Sequence, residues 1–302
     1  MSRPLLITGA SGLVGRALVA RLLAARHPLR LVSRTPERLA ASGASAIGWD
    51  GCTLDAAALD GTDAVVHLAG EPIFGGLPTR ARRTSIWASR IDSTKGLVQR
   101  IAALPSGGRP RTLLCASAVG FYGDRGEEEL REDAAPGDGF LAELCVAWEE
   151  EARRAEQLGL RVVRLRFGVV LSRAGGALPV LARAFRLGLG GRIGSGRQWF
   201  SWVHLDDAVA LALRALEDAR LGGPLNVVAP EPVRNADFTR AVARALRRPA
   251  LLPAPAFAVR FALRELAVEL LGSRQVLPAR AQALGHRFSF PDLPSALATG
   301  LQ

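Results

Sequence analysis

Leu5-Leu6-Ile7-Thr8-Gly9-Ala10-Ser11-Gly12-Leu13-Val14-Gly15 is the stretch that decides the fold. Its short apolar run reads as a buried parallel strand, and a Gly-x-x-Gly-x-x-Gly turn follows. Arg16 to Leu23 is then helical in pattern and ends near Arg26-His27-Pro28. Each glycine answers a separate demand. Gly9 permits the tight turn, Gly12 lets the backbone approach a pyrophosphate, and Gly15 lets the helix pack closely on the strand. Ser11, Leu13 and Val14 share the turn, where the free N–H groups and partial positive charge of a helix start face phosphate oxygens. A glycine cluster alone says little; one placed between a strand and a helix points to dinucleotide binding.

The next strand, Leu29-Arg30-Leu31-Val32, ends in Ser33-Arg34-Thr35-Pro36. A cofactor with a free ribose 2′-hydroxyl usually meets Asp or Glu at this strand end. A hydroxyl and a guanidinium stand here instead. Arg34 can pair with a 2′-phosphate and stack on the adenine, so NADP(H) is expected in preference to NAD(H).

Further strands are expected around Ser45 to Trp49, over Thr62 to Gly70, over Thr112 to Ala116, over Arg161 to Arg166 and over Leu225 to Ala229. Between them lie a short helix near Leu54 to Leu59, one helix from Thr84 to Ile101 carrying Arg90 and Lys95, and a third from Phe140 to Gln157. His67 alternates within an apolar strand, which suits a core histidine better than a catalytic one. The acidic Gly126 to Gly139 segment reads as a loop. Alternating strands and helices argue for an α/β, Rossmann-like, doubly wound parallel sheet. Residues 1–230 are expected to form the nucleotide-binding domain, with substrate-side insertions from about 172 to 200. Residues 231–302 then form a small, mainly helical C-terminal lobe.

Composition bounds the partners. The 302 residues carry a net charge of +11, yet Lys95 is the only lysine and the arginines are scattered over many segments. No basic block interleaves with aromatics, so specific nucleic-acid binding is not expected, and the positive field attracts anionic small molecules instead. Cys52, Cys115 and Cys145 are widely spaced and odd in number, which suits a reducing cytoplasm and no metal site. Met1-Ser2-Arg3 runs straight into the first strand and no apolar run reaches about 18 residues, so neither a leader nor a membrane span is expected. The expected assembly is a monomer or homodimer acting on a small-molecule substrate or ligand.

Thr8-Gly9-x-x-Gly12-x-x-Gly15, His67-Leu68-Ala69-Gly70, the Ser117…Tyr122-Gly123 turn and Gly194-Ser195-Gly196 before Asp206-Asp207 resemble the extended short-chain dehydrogenase/reductase superfamily. Leu68 to Pro72, Ser89-Arg90-Ile91, Phe140 to Glu143 with Trp148-Glu149, Phe185 to Gly191 and Gly194 to Trp202 narrow the likeness. With Pro278-Ala279-Arg280 and Phe290 to Leu293 they are similar to its atypical, epimerase-like branch, the NAD-dependent epimerase/dehydratase or sugar-nucleotide epimerase-like proteins. The resemblance covers nearly the whole chain, including a characteristic C-terminal segment. It implies NADP(H) contacts from Gly9 to Gly15, Ser33, Arg34, Leu68, Ala69 and Gly70, and further contacts from Arg90 and Val170.

Two departures bear on activity. The superfamily's acid/base couple is Tyr-x-x-x-Lys, in which the lysine lowers the tyrosine pKa. This chain has one tyrosine, Tyr122, and the matching helix positions hold Phe140 and Leu144. Sugar-nucleotide epimerases also place an arginine six residues before the Asp-Asp pair to grip a diphosphate, and Phe200 stands there, with Arg197 three residues away. Two functions remain open. One is an NADP(H)-dependent oxidoreductase or epimerase with a non-standard site, in which Ser117 and Tyr122 are the candidate catalytic groups, against a structural role for each. The other is a non-catalytic protein that senses NADP(H).

Overall fold

Continuous apolar runs at Leu5–Thr8 and Ala64–His67 make strands buried along their whole length, as strands covered on both faces must be. They are the centre of a seven-stranded parallel sheet with flanking helices. Its order is Gly223–Val227, Arg161–Phe167, Thr112–Ala118, Ala64–His67, Leu5–Thr8, Leu29–Ser33, Ser45–Gly48. Leu5 pairs with Leu29 on one side and Ala64 on the other, and Ala64 in turn pairs with Thr112. The chain therefore reverses its direction of travel across the sheet at Leu5–Thr8 and Ala64–His67. Beyond the carboxyl ends of these two strands lies the crevice where doubly wound sheets bind their ligands. The computed structural model describes residues 3–39, 43–74, 76 and 78–301. Met1 and Ser2, on which the expectation of no leader partly rests, lie outside the described residues. No helix among the described residues is long and apolar enough to cross a membrane.

Two elements differ from the sequence expectation in instructive ways. The helix expected over Thr84 to Ile101 is two helices, Arg80–Ala88 and Ile91–Ala102. The break at Ser89-Arg90 turns both residues towards the end of the central strand: Ser89 Oγ accepts from Glu71 N at 3.1 Å, and Arg90 Nη2 donates to Glu71 O at 2.8 Å. The acidic loop from Gly126 to Gly139 contains a short strand, Glu129–Leu130, running parallel to Gln275–Val276. Arg125 pins its start through two bonds to Glu128.

The chain folds into two compact units that interleave along the sequence. The first takes residues up to Ser117 with Val146–Leu165 and Ala212–Pro224; the second takes Ala118–Cys145, Arg166–Leu211 and Leu225 onward. The boundary expected at residue 230 does not separate two cores. In the second unit Leu171, Leu178, Phe185 and Trp202 share one buried cluster with Phe238, Val242, Leu293 and Leu297. Apolar positions on both sides of residue 230 are needed to close that cluster.

Candidate functional site

The glycine turn sits in the first unit. Gly9 has φ +69°, a left-handed conformation that side chains rarely adopt, and a Cβ there would lie 2.5 Å from the Leu68 carbonyl carbon. A Cβ on Gly15 would run into the Gly9 carbonyl oxygen. Gly12 N donates to Gly9 O at 3.0 Å, and Gly12 and Ser11 are exposed. The helix Leu13–Ala24 then begins with no side-chain cap and no acidic residue in its first turn. Leu13, Val14 and Gly15 thus present N–H groups to an open, bare helix start, the arrangement that receives a pyrophosphate. These residues fit a dinucleotide.

A buried relay supports the neighbouring strand end. His67 is fully buried and its imidazole is pushed down to about 4 by desolvation, so it is neutral. Its Nδ1 meets Thr8 Oγ1 at 2.7 Å and its Nε2 meets Thr94 Oγ1 at 3.0 Å. Thr94 Oγ1 donates to Arg90 O at 2.5 Å and accepts from Trp148 Nε1 at 2.9 Å. The Thr94 proton being spent on Arg90 O, the histidine proton belongs on Nε2, and Nδ1 accepts from Thr8. Thr8 Oγ1 in turn accepts from Ala69 N at 3.3 Å. One directed chain of bonds therefore runs from the Leu68-Ala69-Gly70 turn to Arg90. The Arg90 guanidinium, buried and 5.3 Å from the Trp148 ring, also donates to Ile86 O. Nothing in the linear sequence marks this relay except the alternation that buried His67.

At the end of Leu29–Ser33, Ser33 Oγ accepts from Thr35 N at 3.1 Å, which leaves its proton free to donate. Arg34 is exposed beside it. Val170 belongs to the second unit, in the short strand Val169–Leu171, paired with Val203.

The two candidate catalytic groups are both committed. Ser117 is buried and donates to Glu149 Oε1 at 2.7 Å; Glu149 Oε2 lies 3.9 Å from Arg164 Nε. Strand alternation turns residue 118 to the opposite face, and that residue is alanine. Tyr122 has no exposed surface; its hydroxyl donates to Asn226 Oδ1 at 2.7 Å and accepts from Arg166 Nη1 at 2.8 Å. Burial pushes the phenol up to about 12. The Arg166 guanidinium lies 3.5 Å from the Phe121 ring centre and donates to Glu132 O. Asn226 N and Arg280 N both donate to the Glu132 carboxylate, whose pKa burial raises. Tyr122→Phe should therefore cost about 1–3 kcal/mol of folding stability, because Asn226 and Arg166 both lose a buried partner. An unchanged denaturation midpoint would show that these bonds contribute nothing to folding.

Comparison with known proteins follows the same outline. The family model described as NAD dependent epimerase/dehydratase family matches residues 5–228. The chain belongs to the NAD-dependent epimerase/dehydratase family. A domain of unknown function, DUF1731, matches residues 254–299. "Epimerase family protein Mb2239" of Mycobacterium bovis is 42% identical over 295 residues, covering 96% of this chain and 95% of that protein. "Epimerase family protein SDR39U1" of Homo sapiens is 38% identical over 296 residues, covering 97% of each. The crystal structure of human epimerase family protein SDR39U1 (isoform2) with NADPH matches with a TM-score of 0.84 at 35% identity, covering 98% of each chain.

Leu144 is buried and Phe140 half-buried, and neither titrates. Lys95 is exposed on its helix, one residue from Thr94, which faces inward. Phe200 packs on Phe238, with ring centres 4.5 Å apart. Sequence reasoning missed Glu149 as the partner of Ser117. The signal was the Trp148-Glu149 pair, which it took only as a family mark.

Proposed function

We propose that this chain is an NADP(H)-binding oxidoreductase or epimerase-like enzyme that acts on a small molecule without a Tyr-x-x-x-Lys couple. The observation that carries the reading is the bare helix start at Leu13–Ala24, reached through a turn that closes only with glycine at positions 9 and 15. Gly9, Ser11, Gly12, Leu13, Val14 and Gly15 hold the pyrophosphate. Ser33 and Arg34 meet the 2′-phosphate, and Leu68, Ala69 and Gly70 border the cofactor. Arg90 holds that last turn in place through Glu71 O. Bound there, NADP(H) would supply or accept a hydride. The binding of NADPH by the human SDR39U1 protein supports the choice of cofactor.

Ser117 and Tyr122 do not carry the proton in this reading, because each hydroxyl proton is already spent on a buried acceptor. The same commitment favours the second reading, a protein that binds NADP(H) and responds to it without turnover. Single-turnover oxidation of bound NADPH against a panel of carbonyl compounds separates the two: consumption by any of them supports the enzyme, and none across the panel supports the sensor.

Cofactor choice has its own test. Among the described residues Arg34 has no ion-pair partner, and no carboxylate occupies positions 32–35. A charge-assisted bond contributes roughly 1.5–3 kcal/mol. Arg34→Ala should therefore weaken NADPH by about ten- to a hundredfold and leave NADH nearly unchanged. Calorimetric titration of both cofactors against both proteins decides it; equal losses for the two would remove Arg34 from 2′-phosphate recognition.

A further inference from the structure

The second unit contains a cavity of about 530 Å³ lined by Asp124, Arg260, Arg264, Glu265, Val268 and Leu271, among others. Asp124 is spent inside the protein, where its Oδ1 accepts from Ser273 N at 2.9 Å. Neighbouring arginines of this unit are paired, Arg234 with Glu127, Arg240 with Asp237 and Arg274 with Glu269. Arg260 and Arg264 differ: Arg264 N donates to Arg260 O, but among the described residues neither guanidinium has an ion-pair or hydrogen-bond partner.

The backbone adds an independent sign. The helix Ala256–Leu263 ends on Arg264 with φ +51° and ψ −123°, a conformation that suits glycine and strains any residue with a Cβ. An arginine is held where the turn asks for glycine, and that residue lines the cavity. The lining carries two arginines and two carboxylates, Asp124 and Glu265, and the Asp124 Oδ1 is taken up by the backbone N–H groups of Ser273 and Gly126.

We propose that this cavity binds a small acid, a carboxylate or phosphate monoester on an apolar body, with Arg260 and Arg264 gripping its anionic head. Guanidinium forks match carboxylate and phosphate oxygens in pairs, and two of them on one cavity wall can hold a single head group. Val268 and Leu271 offer apolar wall to the uncharged part. The volume is that of an ordinary small-molecule site. Every residue named here belongs to the second unit, and the glycine turn belongs to the first.

The test is calorimetric titration of phenyl phosphate into the full chain, with and without saturating NADPH, so that failure to bind the cofactor and failure to bind the acid are read separately. One phenyl phosphate site should persist under saturating NADPH. Arg260→Ala and Arg264→Gly should each weaken it about tenfold or more while leaving NADPH affinity unchanged. Arg264→Gly should also raise the urea midpoint, because the strained turn relaxes; a gain in stability coupled to a loss of affinity is not what a purely structural arginine gives. No phenyl phosphate binding under saturating NADPH, or equal binding by the variants, overturns the proposal. So does retention on phosphatidylglycerol-containing vesicles that both variants lose while phenyl phosphate fails to bind, which would make the surface a lipid-docking face.

Discussion

Gly9→Ala is expected to lose at least about a hundredfold in NADPH affinity, the sum of a strained φ and a collision that the turn can relieve only by moving. The new methyl would stand 2.5–2.7 Å from the Leu68 carbonyl and Ala69 nitrogen. That backbone cannot step aside freely, since Leu68 N donates to Thr8 O and Ala69 N to Thr8 Oγ1. Gly61→Ala is the matched control. Gly61 has φ +64° and open space around its would-be Cβ, so it carries the conformational cost alone, about 1 kcal/mol, and no loss of affinity. Fluorescence titration of NADPH against both variants separates strain from collision. Equal affinities in Gly9→Ala and wild type would mean that the pyrophosphate does not use this turn.

The second large effect is a loss of stability in mild acid that runs through His67. Its folded pKa is pushed from the ordinary 6.5 down to about 4 by burial, with no charged group needed to explain it. The unfolded chain takes up this proton as the pH falls below about 6.5, whereas the folded chain takes it up only near pH 4. The contribution is therefore fully present above pH 6.5, falls through the window between the two values, and amounts to about 3 kcal/mol lost by pH 4. Glu132, whose pKa burial raises, also takes up a proton in acid, so the informative quantity is a difference between proteins. His67→Gln keeps a neutral side chain and should flatten the pH dependence between 6.5 and 4 while lowering stability throughout. Urea denaturation at pH 7, 5.5 and 4 reads both effects; parallel curves for the two proteins would show that His67 is not the neutral, buried ring described above.

Legibility in the sequence followed the range over which each cause acts. The glycine turn was readable because strand, turn and helix start are all local, and the geometry at Gly9 and Gly15 is what their positions predict. The burial of His67 was readable from the apolar strand it ends, which is buried at every position. The break at Ser89-Arg90 was not, since the helical pattern continues through it and the cause is a distant pair of bonds to Glu71. The commitments of Ser117 and Tyr122 were hidden for the same reason. Glu149 lies 32 residues from its serine, and Asn226 lies 104 residues from its tyrosine. No periodicity spans such gaps.

The buried cluster that crosses residue 230 has a consequence for how such a chain can change over generations. Two family models match this sequence in turn, at residues 5–228 and 254–299, as though a second module had been appended to a first. The packing does not respect that seam: Trp202 and Phe185 come from one side of it, Phe238 and Leu297 from the other, and they close a single core. A tail built this way is not freely exchanged between genes, because a foreign tail would meet the wrong inner surface. Truncating Leu297 and truncating Trp202 are therefore expected to have non-additive effects on stability, because both changes open the same cluster.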